Sequence, residues 1–164
     1  VVVSGVRTAI GTYGGSLKDV PPTELAALVV RESLARAKVE GKDVGHVVFG
    51  HVVNTEPKDM YLSRVAAING GCAETTPAFN VNRLCGSGLQ AIVNASQSIL
   101  LGDCDVAIGG GAENMSRIPY FLRAMVKKGV EKHARENNVS LITIELMEEL
   151  RKKRFGNDAP VFKF

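Results

Sequence analysis

The sequence predicts an α/β fold: a mostly parallel sheet with covering helices. Two observations lead to this class. Short apolar runs rich in valine and isoleucine alternate with amphipathic helical patterns, and glycine or proline separates most of the segments. Because a strand–helix–strand unit returns to the sheet through a right-handed crossover, neighbouring strands are expected to run parallel. With 164 residues, 45% of them hydrophobic, the chain can bury the core of one domain and carry a short appendage.

Four segments are predicted to be strands. They are residues 1–6, 44–53, 77–82 and 105–113. The glycine-rich segment 7–16 follows the first strand, but its glycines lack the spacing of a dinucleotide fingerprint and no P-loop lysine follows them. A phosphate cradle is therefore not expected there.

Helices are predicted between these strands. The first begins at Pro21-Pro22, with Thr23 available as its cap, and fades near Gly41. The second and third span residues 62–69 and 89–101. The third is rich in small residues on several faces, which suits a helix packed between two layers. The apolar face of the first helix is predicted to consist of Leu25, Leu28, Val29, Leu34 and Ala35.

A cysteine stands at the predicted switch from the third strand to the third helix. Cys85 is followed by Gly86, Ser87 and Gly88, which leave room for a substrate beside the sulfur. The first turn of a helix has unpaired N–H groups and favours a nearby negative charge, so this position suits a nucleophilic thiolate. The alternative is that Cys85 is a buried small apolar residue, as most free cysteines are.

The remaining titratable residues give weaker signals. Cys72, Cys85 and Cys104 are an odd number of cysteines without metal-ligand spacing, which favours free thiols in a reducing cytosol and predicts no metal site. His46 and His51 flank the second strand without a carboxylate at fixed spacing, so neither is assigned a role. No apolar run is long enough for a membrane span, and the opening valines do not read as a signal peptide. A cytoplasmic protein without a membrane partner is expected.

The charge distribution predicts a boundary near Arg117. Residues 1–116 carry 9 Lys+Arg against 11 Asp+Glu, a net charge of −2, whereas residues 117–164 carry 11 against 6, a net charge of +5. Helical patterns in the second part predict a basic two-helix hairpin appended to the α/β part. Its basic clusters lack the aromatic residues or motif of a nucleic-acid site, so they are interpreted as solvated helix faces.

Three motifs in residues 1–116 resemble the thiolase family of acetyl-CoA acetyltransferases and β-ketothiolases. They are Val-Arg-Thr-Ala-Ile-Gly at 6–11, Val-Asn-Arg-Leu-Cys-Gly-Ser-Gly-Leu-Gln-Ala at 81–91, and Gly-Gly-Gly-Ala-Glu-Asn-Met-Ser at 109–116. The resemblance covers residues 1 to about 120 of this chain and is to the amino-terminal part of a thiolase. The decarboxylating ketoacyl synthases share the fold, but their cysteine has a more serine-rich setting.

The resemblance implies acyl transfer from coenzyme A. Cys85 would form an acyl-thioester, with its own backbone N–H as one oxyanion donor, and a second acyl-CoA deprotonated at its α carbon would then attack. The acyl-CoA is a substrate, and no permanently bound cofactor is implied. Met115 lies where the family has a substrate-pocket methionine, although a packing methionine is the alternative.

Several parts of the family's machinery are not found in the printed sequence. The family has a Gly-His-Pro histidine that activates the nucleophile, an Asn-Glu-Ala-Phe motif at the oxyanion, and a second cysteine in Cys-x-Gly-Gly-Gly. His133 lacks the first context, and neither Cys72 nor Cys104 precedes a glycine run. The expectation is an incomplete acyltransferase, which needs a complementing thiolase half for activity.

Residues 117–164 instead resemble the small carboxyl-terminal domain of light-independent protochlorophyllide reductase. The similarity rests on residues 118–123, 130–136 and 142–145. It implies a chimera and leaves two alternatives to an enzyme: a non-catalytic scaffold, or a poorly folded fragment. A half-thiolase is also expected to expose an apolar face and to form homo-oligomers.

Overall fold

The computed structural model describes residues 1–119, and the predicted hairpin therefore lies almost wholly outside the described residues. The described part contains three α-helices and three β-strands. The helices are α1 (Pro22–Ala37), α2 (Leu62–Gly70) and α3 (Ser87–Leu100), and the strands are β1 (His46–Gly50), β2 (Ala78–Val81) and β3 (Ala107–Gly111). Short 3-10 turns lie at Gly41–Asp43, Pro57–Tyr61 and Met115–Arg117.

The three strands form one parallel sheet in the order β2-β1-β3. Val47 of the central strand is in register with Ala78 on one side and with Ile108 on the other. This confirms the predicted α/β class and the predicted parallel pairing. It also brings the carboxyl ends of all three strands to one edge of the sheet, the usual place for ligands in such folds.

Alternation along β1 divides the core into two layers. Val47 and Phe49 point toward the α1–α2 face and are buried with residues of those helices. Val48 points to the other face and packs against Ala91 and Ala95 of α3. The sheet is thus covered by α1 and α2 on one side and by α3 on the other.

Helix α3 approaches the sheet closely because glycines lie beneath it. A Cβ atom on Gly109 would lie 2.7 Å from Cα of Ile92 and 3.0 Å from the carbonyl oxygen of Ala91. A Cβ atom on Gly50 would likewise collide with the backbone of Ser87 and Gly88. Since these neighbours are backbone atoms that cannot rotate away, only glycine fits at either strand position.

Residues 1–6 are not a strand, contrary to the prediction. The segment makes no ladder with any described strand, and Val1, Val2 and Val3 are exposed. Residues 1–6 and β3 line the same cavity of about 930 Å³. This open space separates residues 1–6 from the unpaired edge of β3. A valine-rich segment favours extended backbone, but it becomes a strand only where a neighbour accepts and donates its hydrogen bonds.

The predicted apolar face of α1 is only partly confirmed: Val29 and Leu34 pack against the core, but Leu28 and Ala35 are exposed. The helix buries the small residues Ala26 and Ala27 together with Val30, while Leu28 is half exposed. The reason is close contact with α2, where Gly70 leaves space for the Val30 side chain. Thr23 is not the cap, since the helix is preceded by Pro21 and has no side-chain cap. The predicted helices at 62–69 and 89–101 are confirmed as α2 and α3, the latter starting two residues earlier.

Gly109→Ala is expected to lower the free energy of unfolding by about 1–3 kcal/mol, because the new methyl group overpacks the contact with α3. The measurement is urea denaturation followed by circular dichroism. Gly5→Ala is the matched control, since a Cβ there meets no atom within 4 Å. Equal stability of the two variants would contradict the close packing of α3 on β3.

Candidate functional site

Cys85 lies in the tight turn that joins β2 to α3, and its side chain is exposed. The residue before it, Leu84, has a left-handed backbone with φ of 49°. Such a conformation is unfavourable for a residue with a branched side chain and persists only where the surroundings hold it. The turn therefore presents the sulfur to solvent at the carboxyl edge of the sheet.

Hydrogen bonds from both sides hold this turn. The Ser87 hydroxyl donates to the Leu84 carbonyl at 2.6 Å and accepts from the Arg83 backbone N–H at 2.8 Å. The Asn82 side-chain oxygen accepts from the Leu84 backbone N–H at 3.1 Å. Ser87 is itself buried, so its hydroxyl makes these bonds away from competing water.

The positive end of α3 lies next to the thiol. The helix begins at Ser87 with Gly86 as the preceding residue, and no side chain caps it. The partial positive charge of uncapped N–H groups favours a negative charge at this end, whether on sulfur or on a substrate oxygen. Cys85 thus lies in the turn before α3, where the sequence predicted it, and its role as nucleophile stays a prediction.

The other two cysteines have different surroundings. Cys72 is buried, and this burial raises the pKa of its thiol above the usual range. Cys104 is partly buried, and desolvation together with the negative charges of Asp103 and Asp105 raises its thiol pKa as well. Among the described cysteines, Cys85 alone has an exposed side chain.

The predicted pocket residue Met115 lies apart from this turn. It is the first residue of the 3-10 turn Met115–Arg117, and 57% of it is exposed. It lines the 930 Å³ cavity beside residues 1–13, a cavity whose lining does not include Cys85. The described residues thus do not bring Met115 and Cys85 together in one pocket.

A buried histidine with two carboxylates was missed by the sequence reasoning. His51 Nδ1 lies 2.8 Å from the carbonyl oxygen of Ala112 and 3.4 Å from Glu113 Oε1, and its Nε2 lies 3.8 Å from Asp59 Oδ2. The carboxylates come from other elements rather than from a nearby sequence position. The available signal was that His51 and Glu113 each follow a parallel strand, and such strands end at the same edge.

The second histidine has a packing role. His46 Nδ1 lies 2.9 Å from the Ser98 hydroxyl, and the ring packs edge-on against Phe79 at 5.4 Å. Within residues 1–119, no three His, Cys, Asp or Glu side chains are grouped as metal ligands would be. The same residues contain no helix that is long and apolar enough to cross a membrane.

Comparison with known proteins identifies the family. The family model described as the thiolase N-terminal domain matches residues 1–160. The chain belongs to the thiolase family. This confirms the resemblance drawn from the motifs around Cys85 and the α/β fold that it implied.

Two curated relatives illustrate the similarity of this thiolase-family chain. Beta-ketothiolase BktB of Cupriavidus necator is 76% identical over 124 residues, which are 76% of this chain and 32% of the relative. The cytosolic acetyl-CoA acetyltransferase of Rattus norvegicus is 42% identical over 131 residues, which are 79% of this chain and 33% of the relative. The chain spans about a third of the length of the curated relatives that it matches.

Solved thiolase structures share the fold. The human mitochondrial 3-ketoacyl-CoA thiolase in complex with CoA aligns with a TM-score of 0.72 at 40% identity, over 74% of this chain and 31% of the other. The Bacillus anthracis acetyl-CoA acetyltransferase aligns with a TM-score of 0.71 at 40% identity, over 75% and 31%. The family model reaches residue 160, whereas these relatives align over shorter lengths. The boundary at residues 116 and 117 stays a prediction.

Iodoacetamide is expected to label Cys85 faster than Cys72 or Cys104 at neutral pH. Cys85 is exposed, whereas the raised pKa values of the other two thiols leave them mostly protonated there. Raising the pH should increase the labelling of Cys104, since desolvation and the charges of Asp103 and Asp105 raise its thiol pKa and more thiolate forms as the pH rises. Peptide mass spectrometry of a time course measures the three rates. Labelling of Cys104 ahead of Cys85 at neutral pH would refute this order.

Proposed function

We propose that this chain is the nucleophile-bearing part of a thiolase-type acyl-CoA acyltransferase, similar to acetyl-CoA C-acetyltransferases. The observation that carries the proposal is the exposed Cys85 sulfur in a left-handed turn at the positive end of α3. Family membership supports it, as does the acetyl-CoA named in the descriptions of the acetyltransferases that the chain resembles.

The first step is exchange of one thioester for another. The Cys85 thiolate attacks the carbonyl carbon of an acyl-CoA, the bond from that carbon to the coenzyme sulfur breaks, and coenzyme A leaves as a thiolate that takes up a proton. Because a thioester is both broken and formed, the step is close to neutral in free energy. Backbone N–H groups near Cys85 would stabilise the oxyanion of the tetrahedral intermediate.

The second step needs groups beyond Cys85. A second acyl-CoA must lose an α proton, and its α carbon then attacks the carbonyl carbon of the acyl-cysteine. This attack forms a carbon–carbon bond and releases the Cys85 thiolate. In the family, the second cysteine would abstract this α proton and the Gly-His-Pro histidine would activate the nucleophile, and neither motif occurs in the printed sequence. We propose Met115 as a substrate-pocket residue only in an assembly that reshapes the surroundings of Cys85. Coenzyme A thioesters remain substrates in this scheme, with no permanently bound cofactor.

The exposed face of α3 is the observation that suggests a protein partner. Large apolar side chains are exposed along this helix and just beyond it: Leu89, Ile92, Val93, Ile99, Leu100 and Leu101. An apolar helix face is normally covered, so we propose that a complementing thiolase half or a second copy of the chain packs there. The free thiols favour a reducing compartment, which we propose to be the cytoplasm.

A non-catalytic scaffold is the second candidate. It is favoured by the two described histidines, since both ring systems are engaged in internal contacts and neither is placed as a base for Cys85. In this case the thiolase fold would carry the basic segment 117–164 as an interaction module. A stable acyl adduct on Cys85 separates the two candidates.

Incubation with acetyl-CoA is expected to add one acetyl group to the chain, located on Cys85 by peptide mass spectrometry. Cys85→Ala should abolish the adduct because the nucleophile is gone. Cys104→Ser is the matched control and should keep it. Absence of the adduct in the wild-type chain, with or without a complementing thiolase half, would favour the scaffold.

The full chain is expected to self-associate when no complementing half is present, because the α3 face is apolar and exposed. Analytical ultracentrifugation over a concentration series measures this. Leu100→Lys should shift the equilibrium toward monomer, since it places a charge in the proposed contact. Leu28→Lys, on the exposed side of α1, is the control. A monodisperse monomer at every concentration would contradict self-association.

A further inference from the structure

We infer that Glu113 is a positioning residue for the Cys85 turn, acting through the loop that follows β1 and through Asn82. The inference adds to the proposed function a residue to which neither the sequence motifs nor the comparisons assign a role. The relevance of Glu113 to acyl transfer rests on the proposed function, but its effect on the Cys85 turn can be tested by the reactivity of Cys85 alone.

The first step of the connection is a pair of hydrogen bonds across the sheet. Glu113 follows β3, and its carboxylate reaches the segment after β1. Oε2 accepts from the Val52 backbone N–H at 2.9 Å, and Oε1 accepts from the Val53 backbone N–H at 3.3 Å. Both oxygens of one carboxylate thus bind consecutive peptide N–H groups.

The second step leads from this loop to the nucleophile. The Val52 carbonyl accepts from the Asn82 side-chain N–H at 3.3 Å, and the Asn82 side-chain oxygen accepts from the Leu84 backbone N–H at 3.1 Å. Asn82 therefore joins the loop to the left-handed residue that precedes Cys85. Movement of the Val52 peptide would be passed to the turn through one side chain.

His51 fixes the Glu113 end of this connection. The side chain of His51 is almost fully buried, and its Nδ1–H donates to the Ala112 carbonyl at 2.8 Å, because a carbonyl oxygen can only accept. The same nitrogen lies 3.4 Å from Glu113 Oε1. The histidine thus ties the residue before Glu113 to the end of β1 and places a polar hydrogen beside the carboxylate.

Asp59 fixes the far end of the same loop. Its Oδ2 accepts from the backbone N–H groups of Thr55 and Glu56 at 2.6 and 3.2 Å, and from the Thr55 hydroxyl at 2.8 Å. Two carboxylates from different elements therefore hold the backbone of residues 52–56. With its two ends anchored, the loop offers Asn82 a fixed carbonyl rather than a mobile one.

The chemistry at position 113 requires a carboxylate. Two adjacent N–H donors need two acceptors, and a carboxylate supplies both. Glutamine has nearly the same shape but replaces one acceptor with an NH₂ donor, which would face a backbone N–H. Glu113→Gln therefore disturbs the loop with little change in side-chain volume.

Glu113→Gln is expected to slow the alkylation of Cys85 by roughly three- to tenfold, in the lower part of the range of couplings found within one hydrogen-bond network. The rate at Cys104 in the same chain is the internal reference. Glu74→Gln removes the same charge from an exposed side chain and should leave the Cys85 rate unchanged. An unchanged Cys85 rate in a folded Glu113→Gln chain would overturn the inference.

A double-mutant cycle with Asn82→Ala separates positioning from general destabilisation. If Glu113 acts through Asn82, then Glu113→Gln has no further effect on the Cys85 rate once Asn82 is alanine. Additive effects of the two substitutions would show that Glu113 does not work through this side chain.

Hydrogen exchange gives a second measurement that does not require the Glu113 variant to fold. Coupling is reciprocal, so Asn82→Ala should speed exchange at the Val52 and Val53 amides of the full chain. Unchanged exchange there would refute the connection. Acetylation of Cys85 by acetyl-CoA is measured as a separate experiment. If the adduct forms but Glu113→Gln leaves the alkylation rate of Cys85 unchanged, only the inference about Glu113 is rejected. If Glu113→Gln slows the alkylation of Cys85 but no acetyl adduct forms, only the proposed function is rejected.

Discussion

Direct contact between α3 and the glycines of the sheet is the constraint on which the rest of the described fold depends. Gly50 and Gly109 let the backbone of the helix lie against β1 and β3, with Ala91 and Ala95 filling the contact beside Val48. The helix begins at the carboxyl edge of the sheet because it follows β2, which ends there, and Gly50 lets its first residues, Ser87 and Gly88, lie directly against β1. The turn that carries Cys85 is therefore positioned by the packing of the helix that follows it.

At the carboxyl edge of the sheet, charged side chains bind the backbone N–H groups of the loop that follows β1. Where parallel strands end, backbone N–H groups lose their ladder partners, and a buried unpaired N–H is costly. Glu113 and Asp59 accept from four such groups in the loop after β1, and His51 lies between them. Hydrogen bonds to charged acceptors are stronger than neutral ones, so this loop has a defined position beside the Cys85 turn.

Local signals explain which features could be predicted from the sequence. The bounds of α2 and α3 and the strand–turn–helix around Cys85 follow from glycine placement and hydrophobic periodicity, which act over a few residues. The strand expected at residues 1–6 failed because pairing needs a distant partner. The predicted face of α1 missed Ala26, Ala27 and Val30, because close contact with α2 at Gly70 places small residues in the fully buried positions. The environment of His51 could not be read locally, since its carboxylates come from residues 8 and 62 positions away.

The part of a thiolase that establishes family membership here is smaller than the part that the family needs for catalysis. Identity of 76% with a β-ketothiolase holds over a third of that relative's length, and within this share lie Cys85 and the turn that presents it. Residues that act together in catalysis contribute non-additively, so a nucleophile without its base does not retain a proportional share of the rate. The two half-reactions differ in what they demand. Thioester exchange needs an exposed thiol, a base that removes its proton and oxyanion donors, whereas carbon–carbon bond formation also needs α-proton abstraction. The described residues contain the turn that presents Cys85, and we propose that acyl loading of this sulfur is the half-reaction in which this part of the fold acts, with the remaining groups coming from a partner.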